Sequence, residues 1–260
     1  MKRLHLAEIE DQAWCPTWLR NYGTDYLQHI VNQFDVYKAV APRILNALEK
    51  SGQNRVVDLA SGGGGGWLSL SKHLFEARPD LNITLTDFYP NVDAFKRTVD
   101  RGGENFDYRT DSVDARAVPD DLQGLRTQFL SLHHFRPEEA TKILQNAVDK
   151  NQPIAVFEVT ERTIPSFISV LFSPIFVLLL TPFIRPFRFG RLLFTYLIPL
   201  VILLILFDGL VSVLRTYTVK EMQAMADSLE GSEGYTWEIG RQKSGPGAVL
   251  YLIGYPKTEA

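Results

Sequence analysis

The stretch Arg55-Val-Val-Asp58-Leu-Ala-Ser-Gly62-Gly-Gly-Gly-Gly-Trp67 decides how the rest of the chain is read. Val56, Val57 and Leu59 form a short apolar run that carries an acid and turns into five consecutive glycines. A run of this kind, bounded by turn residues, predicts a buried parallel strand. Glycines lack a Cβ, so the backbone can turn sharply and a ligand can approach its N–H groups, as nucleotide-like ligands do at strand-to-helix turns. A flexible linker is the competing reading, but linkers are seldom entered from an apolar strand and left into a helix. Here Trp67, Leu68, Leu70, Leu74 and Phe75 give a helical face, which Pro79 ends.

Downstream, residues 82–86 alternate around Ile83 and Leu85 and run into Asp87, so an acid again stands at the carboxyl end of a predicted strand. Pro90 suits the first turn of the next helix. A carboxylate at Asp87 can accept hydrogen bonds from both hydroxyls of a ribose lying over the glycine turn; taken alone, it serves equally well as an ordinary N-cap. A third strand is expected over residues 106–113 and a fourth over residues 128–132, the latter leading into His133-His134-Phe135. Pro137-Glu-Glu opens a helix carrying Ile143, Leu144 and Ala147, and residues 153–159 form a fifth strand ending near Glu158. Alternation of this kind predicts a doubly wound parallel sheet with crossover helices.

The pattern then breaks. Residues 166–184 and 192–207 are almost wholly apolar, with Arg185, Pro186, Arg188, Gly190 and Arg191 between them. The first run approaches the length of a bilayer span, and the second reaches it only if it continues past Asp208. Together they predict a helical hairpin in lipid, with a hydrophobic lid or dimer interface as the soluble alternative. Two full spans would place the arginine loop across the membrane from the rest of the chain, against the positive-inside tendency. A shallow hairpin, broken by Pro174, Pro182, Pro186 and Pro199 and with arginines reaching lipid phosphates, avoids that conflict and is preferred. After it, Thr218-Val-Lys-Glu221 has capping-box spacing and opens a helix through Met222, Met225 and Leu229. Residues 235–241 and 248–255 close the fold as two strands joined through Gly245-Pro-Gly247.

Four segments follow: a helical extension over 1–50, a core over 51–162, the apolar hairpin over 163–215, and the remainder of the core over 216–260. In the extension, Tyr26, Ile30, Phe34 and Tyr37 recur at helical steps, while Trp14, Trp18, Arg20, Tyr22 and Tyr26 are assigned to packing, with covering of a ligand as the second reading. Length and charge narrow the function classes. A chain of 260 residues can bury a large core without staples, and its single cysteine, Cys15, can form no internal bridge and belongs to no metal-binding cysteine cluster. The formal net charge of -3 argues against a general nucleic-acid binder. The start of the chain turns acidic before any apolar run and is not read as a secretory signal.

Taken together, these motifs resemble the class I S-adenosylmethionine-dependent methyltransferases. The family's first motif, an acid at the end of strand one followed by glycines, falls on Asp58, Ala60, Ser61, Gly62, Gly63 and Gly64, with Ala60 standing where the family usually has glycine. Its ribose-holding acid falls on Asp87, with Phe88 placed to pack on the adenine; its third signature falls on Asp114 and Ala115, ahead of Val118-Pro119. Ser131-Leu-His-His-Phe135 looks like the segment after the fourth strand in many small-molecule methyltransferases. The resemblance implies a Rossmann-like α/β sheet of seven strands with the last antiparallel, S-adenosylmethionine as cofactor, and methyl transfer by in-line displacement. Such chemistry needs alignment and at most one base, for which His133, His134 and Glu158 are the candidates. Adjacent histidines on an extended segment point to opposite faces, so one of the two is expected in the site. The hairpin beside the acceptor edge implies a lipid or other hydrophobic acceptor and a membrane-associated enzyme at the cytoplasmic face. The alternative is a catalytically inactive, membrane-bound interaction module on the same fold.

Overall fold

Strands β1 (Arg55–Asp58) and β4 (Leu125–Phe129) lie side by side at the point where the strand order of the sheet reverses. In this computed structural model, which describes residues 1–257, the sheet has seven strands in the order β3-β2-β1-β4-β5-β7-β6. The other strands are β2 (Asn82–Leu85), β3 (Phe106–Tyr108), β5 (Ile154–Glu158), β6 (Tyr235–Ser244) and β7 (Gly247–Pro256). β1 to β5 pair in parallel, and β7 runs antiparallel to both β5 and β6, as the resemblance implies. The crevice beyond the carboxyl ends of β1 and β4 is the topological switch point, where open α/β sheets bind their ligands.

Two apolar layers sandwich the sheet. On one face, α2 (Ala41–Ser51), α3 (Trp67–Phe75) and α4 (Val92–Gly102) bury Ile44, Leu48, Trp67, Leu70, Leu74 and Phe95 against β1, β2 and β4. On the other, α5 (Pro137–Asp149) and α10 (Val219–Asp227) bury Ile143, Leu144 and Met222 against Val57 and Val156. Because β1 is covered on both faces, Val56 and Val57 are both fully buried, which is why its sequence is a continuous apolar run and not an alternating one. The capping box of α10 forms as expected: Thr218 Oγ1 accepts from Glu221 N while the Glu221 carboxylate accepts from Thr218 N.

The departures from expectation lie in the less apolar strands. β3 stops at Tyr108: Arg109 still donates its backbone N–H to Leu85 O, but its side chain turns to Asp121 and the chain beyond it runs as a loop. β4 begins at Leu125, three residues before the expected start: Arg126 and Thr127 look too polar for a core strand, yet each finds a partner far along the chain, the half-buried Asn146 and the buried Asp58 respectively. The last three residues of the expected 216–260 segment lie outside the described residues.

The apolar insertion forms α6 (Ile164–Leu171), α7 (Ser173–Leu180), α8 (Phe189–Leu192) and α9 (Leu200–Arg215). The run Ile164–Phe183 is long and apolar enough to cross a membrane. Its arrangement, however, is lateral. Val177, Ile184, Val201 and Leu204 pack on Leu19, Tyr22 and Tyr26 of α1 (Thr17–Gln33), forming a third apolar cluster. The Arg191 guanidinium, 1% exposed, reaches back to Asp25 of α1 at 2.7 Å. Two full spans would carry that loop about 30 Å away from the sheet; instead it packs on α1 through Asp25. Arg191 therefore does not reach lipid phosphates as the sequence led us to expect: a buried Asp25 claims it. The outward face is left bare, with Ile164, Phe172, Leu179, Phe183, Phe189 and Leu197 all exposed.

Candidate functional site

Asp58 ends β1 with its carboxylate under the glycine turn, 2% exposed. Thr127 of the neighbouring strand donates to Oδ1 at 2.7 Å and Ser61 to Oδ2 at 2.6 Å. Burial pushes its pKa up to about 6, against the hydrogen bonds from Ser61 and Thr127, and the nearby Asp87 carboxylate adds to the rise. The turn itself is left-handed at several points: Ala60 has φ 60°, Gly62 54°, Gly64 93° and Gly65 51°. Ala60 thus stands in a conformation that favours glycine, and it adopts that conformation nonetheless.

Asp87 closes the turn from the side of β2. Its Oδ2 accepts from Gly62 N and its Oδ1 from Tyr89 N, both at 2.8 Å. The acid at this position therefore orders the loop directly, and a half-buried carboxylate with further lone pairs remains at the crevice. Phe88 beside it is exposed, and the Phe88 and Tyr89 rings meet edge to face at 4.8 Å. Asp114 lies on the loop after β3, but its carboxylate takes a forked contact from Arg116, whose hydrogen bonds hold it below the usual carboxylate range despite partial burial. Ala115 is buried in the layer containing Val57. The structure thus brings Asp58, Ala60, Ser61, Gly62, Gly63, Gly64, Asp87 and Phe88 to one turn and sets Asp114 and Ala115 on the loop beyond β3.

The glycines are needed partly for packing. A Cβ on Gly63 would stand 3.1 Å from the Thr24 carbonyl oxygen, and one on Gly64 would stand 2.4 Å from Thr98 Oγ1 and 2.8 Å from Gln28 Nε2. Helix α1 therefore lies directly against the turn, and Asn32 ties the two together by donating to Gly65 O and accepting from Ser69 N. Of the aromatic residues in the N-terminal extension, Tyr22 and Tyr26 are packed against the insertion, and Trp18 stacks on Phe194 at 4.4 Å. The contacts to the start of the turn come from Thr24, Gln28 and Asn32, polar residues with no distinguishing pattern in the sequence, while the Tyr37 ring packs on its end, 2.5 Å from where a Cβ on Gly66 would stand.

A second group of polar side chains lies past β4 and β5. Residues Leu132–His134 form a helical turn, not an extended segment, so the two histidines are not on opposite faces: their rings lie 4.4 Å apart and tilted by 31°. His133 Nδ1 meets Glu158 Oε2 at 2.8 Å, with Glu158 fully buried at the end of β5. Glu158 thus orients the His133 ring through Nδ1 and leaves Nε2 as the nitrogen turned toward Glu8. Glu8, also fully buried, comes within 3.8 Å of His133 Nε2 and 3.0 Å of His134 Nδ1. His134 also meets Asp11 at 2.9 Å. Burial alone would lower the His134 pKa, but Glu8, Asp11 and Glu10 outweigh it and raise it to about 10. The donor atoms of Glu8, His133 and His134 lie close enough together to hold a metal ion, yet a protonated His134 already fills that role between two carboxylates.

Glu8 was missed because it lies 125 positions before His133 in a segment without periodicity. Long-range contacts bring it there. Asp208 of α9 accepts from Ile9 N and Glu10 N, and Arg215 donates to the His133 and His134 carbonyls and to Asp11. The N-terminal strap, the end of the apolar insertion and the His133–Glu158 pair are thus one connected structure.

No family model matches the chain, and no curated protein matches it. The chain is similar to several solved structures. Human N-acetylserotonin methyltransferase with S-adenosylmethionine aligns at 16% identity over 91% of this chain and 57% of that one, with a TM-score of 0.49. The mitomycin 7-O-methyltransferase MmcR aligns at 16% identity over 92% and 60%, with a TM-score of 0.49. NcsB1, an O-methyltransferase from neocarzinostatin biosynthesis in complex with S-adenosylmethionine and 2-hydroxy-5-methyl naphthoic acid, aligns at 16% identity over 88% and 56%, with a TM-score of 0.49. The present chain spans a little over half the length of these proteins.

Proposed function

We propose that this protein is an S-adenosylmethionine-dependent methyltransferase that works at a membrane surface on a lipid or other hydrophobic acceptor. The observation that carries the reading is the pair of acids, Asp58 and Asp87, ending adjacent strands on either side of a left-handed glycine turn at the switch point of the sheet. The residues suit a cationic cofactor. Asp58 is a buried carboxylate with no ion-pair partner among the described residues, and Asp87 adds repulsion, so a positively charged ligand above the turn would stabilise both. When bound, S-adenosylmethionine supplies an activated methyl group. The chain's own residues do the rest: Asp87 and the turn's backbone orient the cofactor, Asp58 acts through the turn by its field, and Phe88 offers an aromatic face. His133 Nε2, with Nδ1 fixed by Glu158, is placed to accept a proton from the acceptor.

His133 is 2% exposed beneath Glu8, so an acceptor reaches it only when the strap bearing Glu8 shifts. That strap is tied to α9 of the apolar insertion through Asp208, which supports an acceptor arriving from the lipid side. The bare outer face of the insertion supports a hairpin that lies in the interface plane instead of crossing it. Ala60 takes the backbone conformation a glycine would, which supports an intact cofactor turn over the inactive-module alternative. Calorimetry with S-adenosylmethionine on the detergent-solubilised chain is the test. Asp87→Asn, whose single amide oxygen can accept from only one of Gly62 N and Tyr89 N, should bind the cofactor at least tenfold more weakly; unchanged affinity would remove the reading.

A further inference from the structure

A cavity of about 320 Å³ opens between α1, α3 and the segment joining α7 to α8. Its cationic lining is Lys72, Arg101 and Arg185. None of these has a carboxylate within ion-pair distance among the described residues. Asp25 is the only acid in the lining, and it is already taken: Arg191 reaches it at 2.7 Å, Arg97 at 3.5 Å and Arg188 at 3.7 Å. Three arginines therefore share one buried carboxylate, and three further basic side chains line the cavity beside it. Burial and the neighbouring Arg191 and Arg101 lower the His29 pKa, a second sign that this corner carries uncompensated positive charge. In a chain whose net charge is -3, such a concentration of cations is local and specific in place.

The position of the cavity says what it takes. Phe183 is both part of its lining and part of the exposed apolar face, and Arg185 sits between Phe183 and Phe187, which are 65% and 59% exposed. Cationic side chains flanked by exposed aromatics at the rim of an apolar surface match the boundary between acyl chains and headgroups. We infer that the cavity binds the phosphate of an anionic phospholipid, with Lys72, Arg101 and Arg185 around its oxygens and the acyl chains lying along the outer face of the insertion. Gln28, Asn32 and Ser69 supply hydrogen-bonding groups at the walls suited to the rest of a polar headgroup. This inference rests on the membrane-surface part of the proposed function and not on methyl transfer.

The test is sedimentation of the full chain with phosphatidylcholine vesicles, with and without a minority of phosphatidylglycerol, at low salt. The wild-type protein is expected to bind both and to prefer the anionic vesicles. The combined variant Lys72→Gln, Arg101→Gln, Arg185→Gln is expected to keep its binding to phosphatidylcholine and to lose about a hundredfold in binding to the mixed vesicles. All three side chains are exposed, so folding is not at stake. A charge-matched variant, Lys142→Gln, Lys220→Gln, Lys243→Gln, altered on α5, α10 and β6, should retain the preference. Equal loss in that control, or a preference surviving in the cavity variant, would overturn the site while leaving the hairpin reading intact. Failure of the wild type to bind either vesicle would overturn both. Inorganic phosphate displacing the protein from mixed vesicles, at a concentration where chloride at equal ionic strength does not, would reassign the cavity to a free phosphate and overturn the lipid inference.

Discussion

Replacing Asp58 by Asn should make the ligand-free protein more stable, in a way that depends on pH. Asp58 is buried, has no ion-pair partner among the described residues and has its pKa raised from 3.8 to about 6. An acid with a raised folded-state pKa binds protons more tightly when folded than when unfolded. Its ionisation therefore costs nothing below about pH 3.8, costs progressively more between pH 3.8 and 6, and costs the full amount above that. At about 1.4 kcal/mol per pH unit, the displacement from 3.8 to about 6 is worth about 3 kcal/mol. Asparagine has the same shape and no charge, and the Ser61 and Thr127 hydroxyls can rotate to donate to its oxygen or accept from its nitrogen. Urea unfolding of both proteins, monitored by tryptophan fluorescence, is the assay. We expect Asp58→Asn to be more stable than wild type by about 3 kcal/mol at pH 8 and by about half of that near pH 5. The same variant should lose affinity for S-adenosylmethionine, since the charge that destabilises the empty site is the charge proposed to favour a cationic ligand. A variant less stable than wild type by the same amount at both pH values would show that Asp58 is an ordinary hydrogen-bonding residue, and the electrostatic argument for the cofactor would fall with it.

Other predictions concern the turn, the histidines and the insertion. Ala60→Gly relieves a left-handed alanine at φ 60° and should stabilise the protein by about 1 kcal/mol in urea melts; a loss of stability would show that the Ala60 methyl group packs usefully. His133→Asn and Glu158→Gln should each lower kcat by about a hundredfold or more while leaving cofactor affinity unchanged by calorimetry, and matched losses in both quantities would point to a structural pair instead. The carboxylates around His134 raise its pKa from 6.5 to about 10, so it stabilises the folded state fully below pH 6.5 and loses that effect as pH rises toward 10. The urea midpoints of wild type and His134→Gln should accordingly converge as pH is raised; a constant gap would mean the imidazole is uncharged. Combining Phe172→Ser, Leu179→Ser and Leu197→Ser on the exposed face should weaken binding to neutral vesicles at least tenfold with the melting temperature unchanged.

What the sequence made legible was whatever is local or periodic. The β1 run, the glycine turn, the acid after β2, the capping box at Thr218 and the two closing strands all follow from neighbours within a few positions; their alternation gives a doubly wound sheet, and its seven strands with the last antiparallel are what the family resemblance implies. The start of β4 was hidden because Arg126 and Thr127 are polar in sequence and are satisfied only by residues far along the chain, Asn146 and Asp58. Two features of the candidate site were illegible for the same reason. Glu8 enters through contacts with α9 and the His133 turn, and the cover over the glycines comes from Thr24, Gln28 and Asn32, whose importance appears only once α1 is docked. The insertion was recognisable as apolar, but where its arginine loop packs depends on Asp25, a single buried acid in a helix otherwise read as packing.

The central claim is methyl transfer to a hydrophobic acceptor. Its most direct measurement is incubation of the full chain with methyl-labelled S-adenosylmethionine and fractionated membrane lipids, counting label in the organic phase and S-adenosylhomocysteine in the aqueous one. Labelled lipid and S-adenosylhomocysteine are expected in equal amounts, both reduced at least tenfold by Asp87→Asn at cofactor concentrations below saturation. Cofactor that is bound but never consumed with any lipid fraction would contradict it.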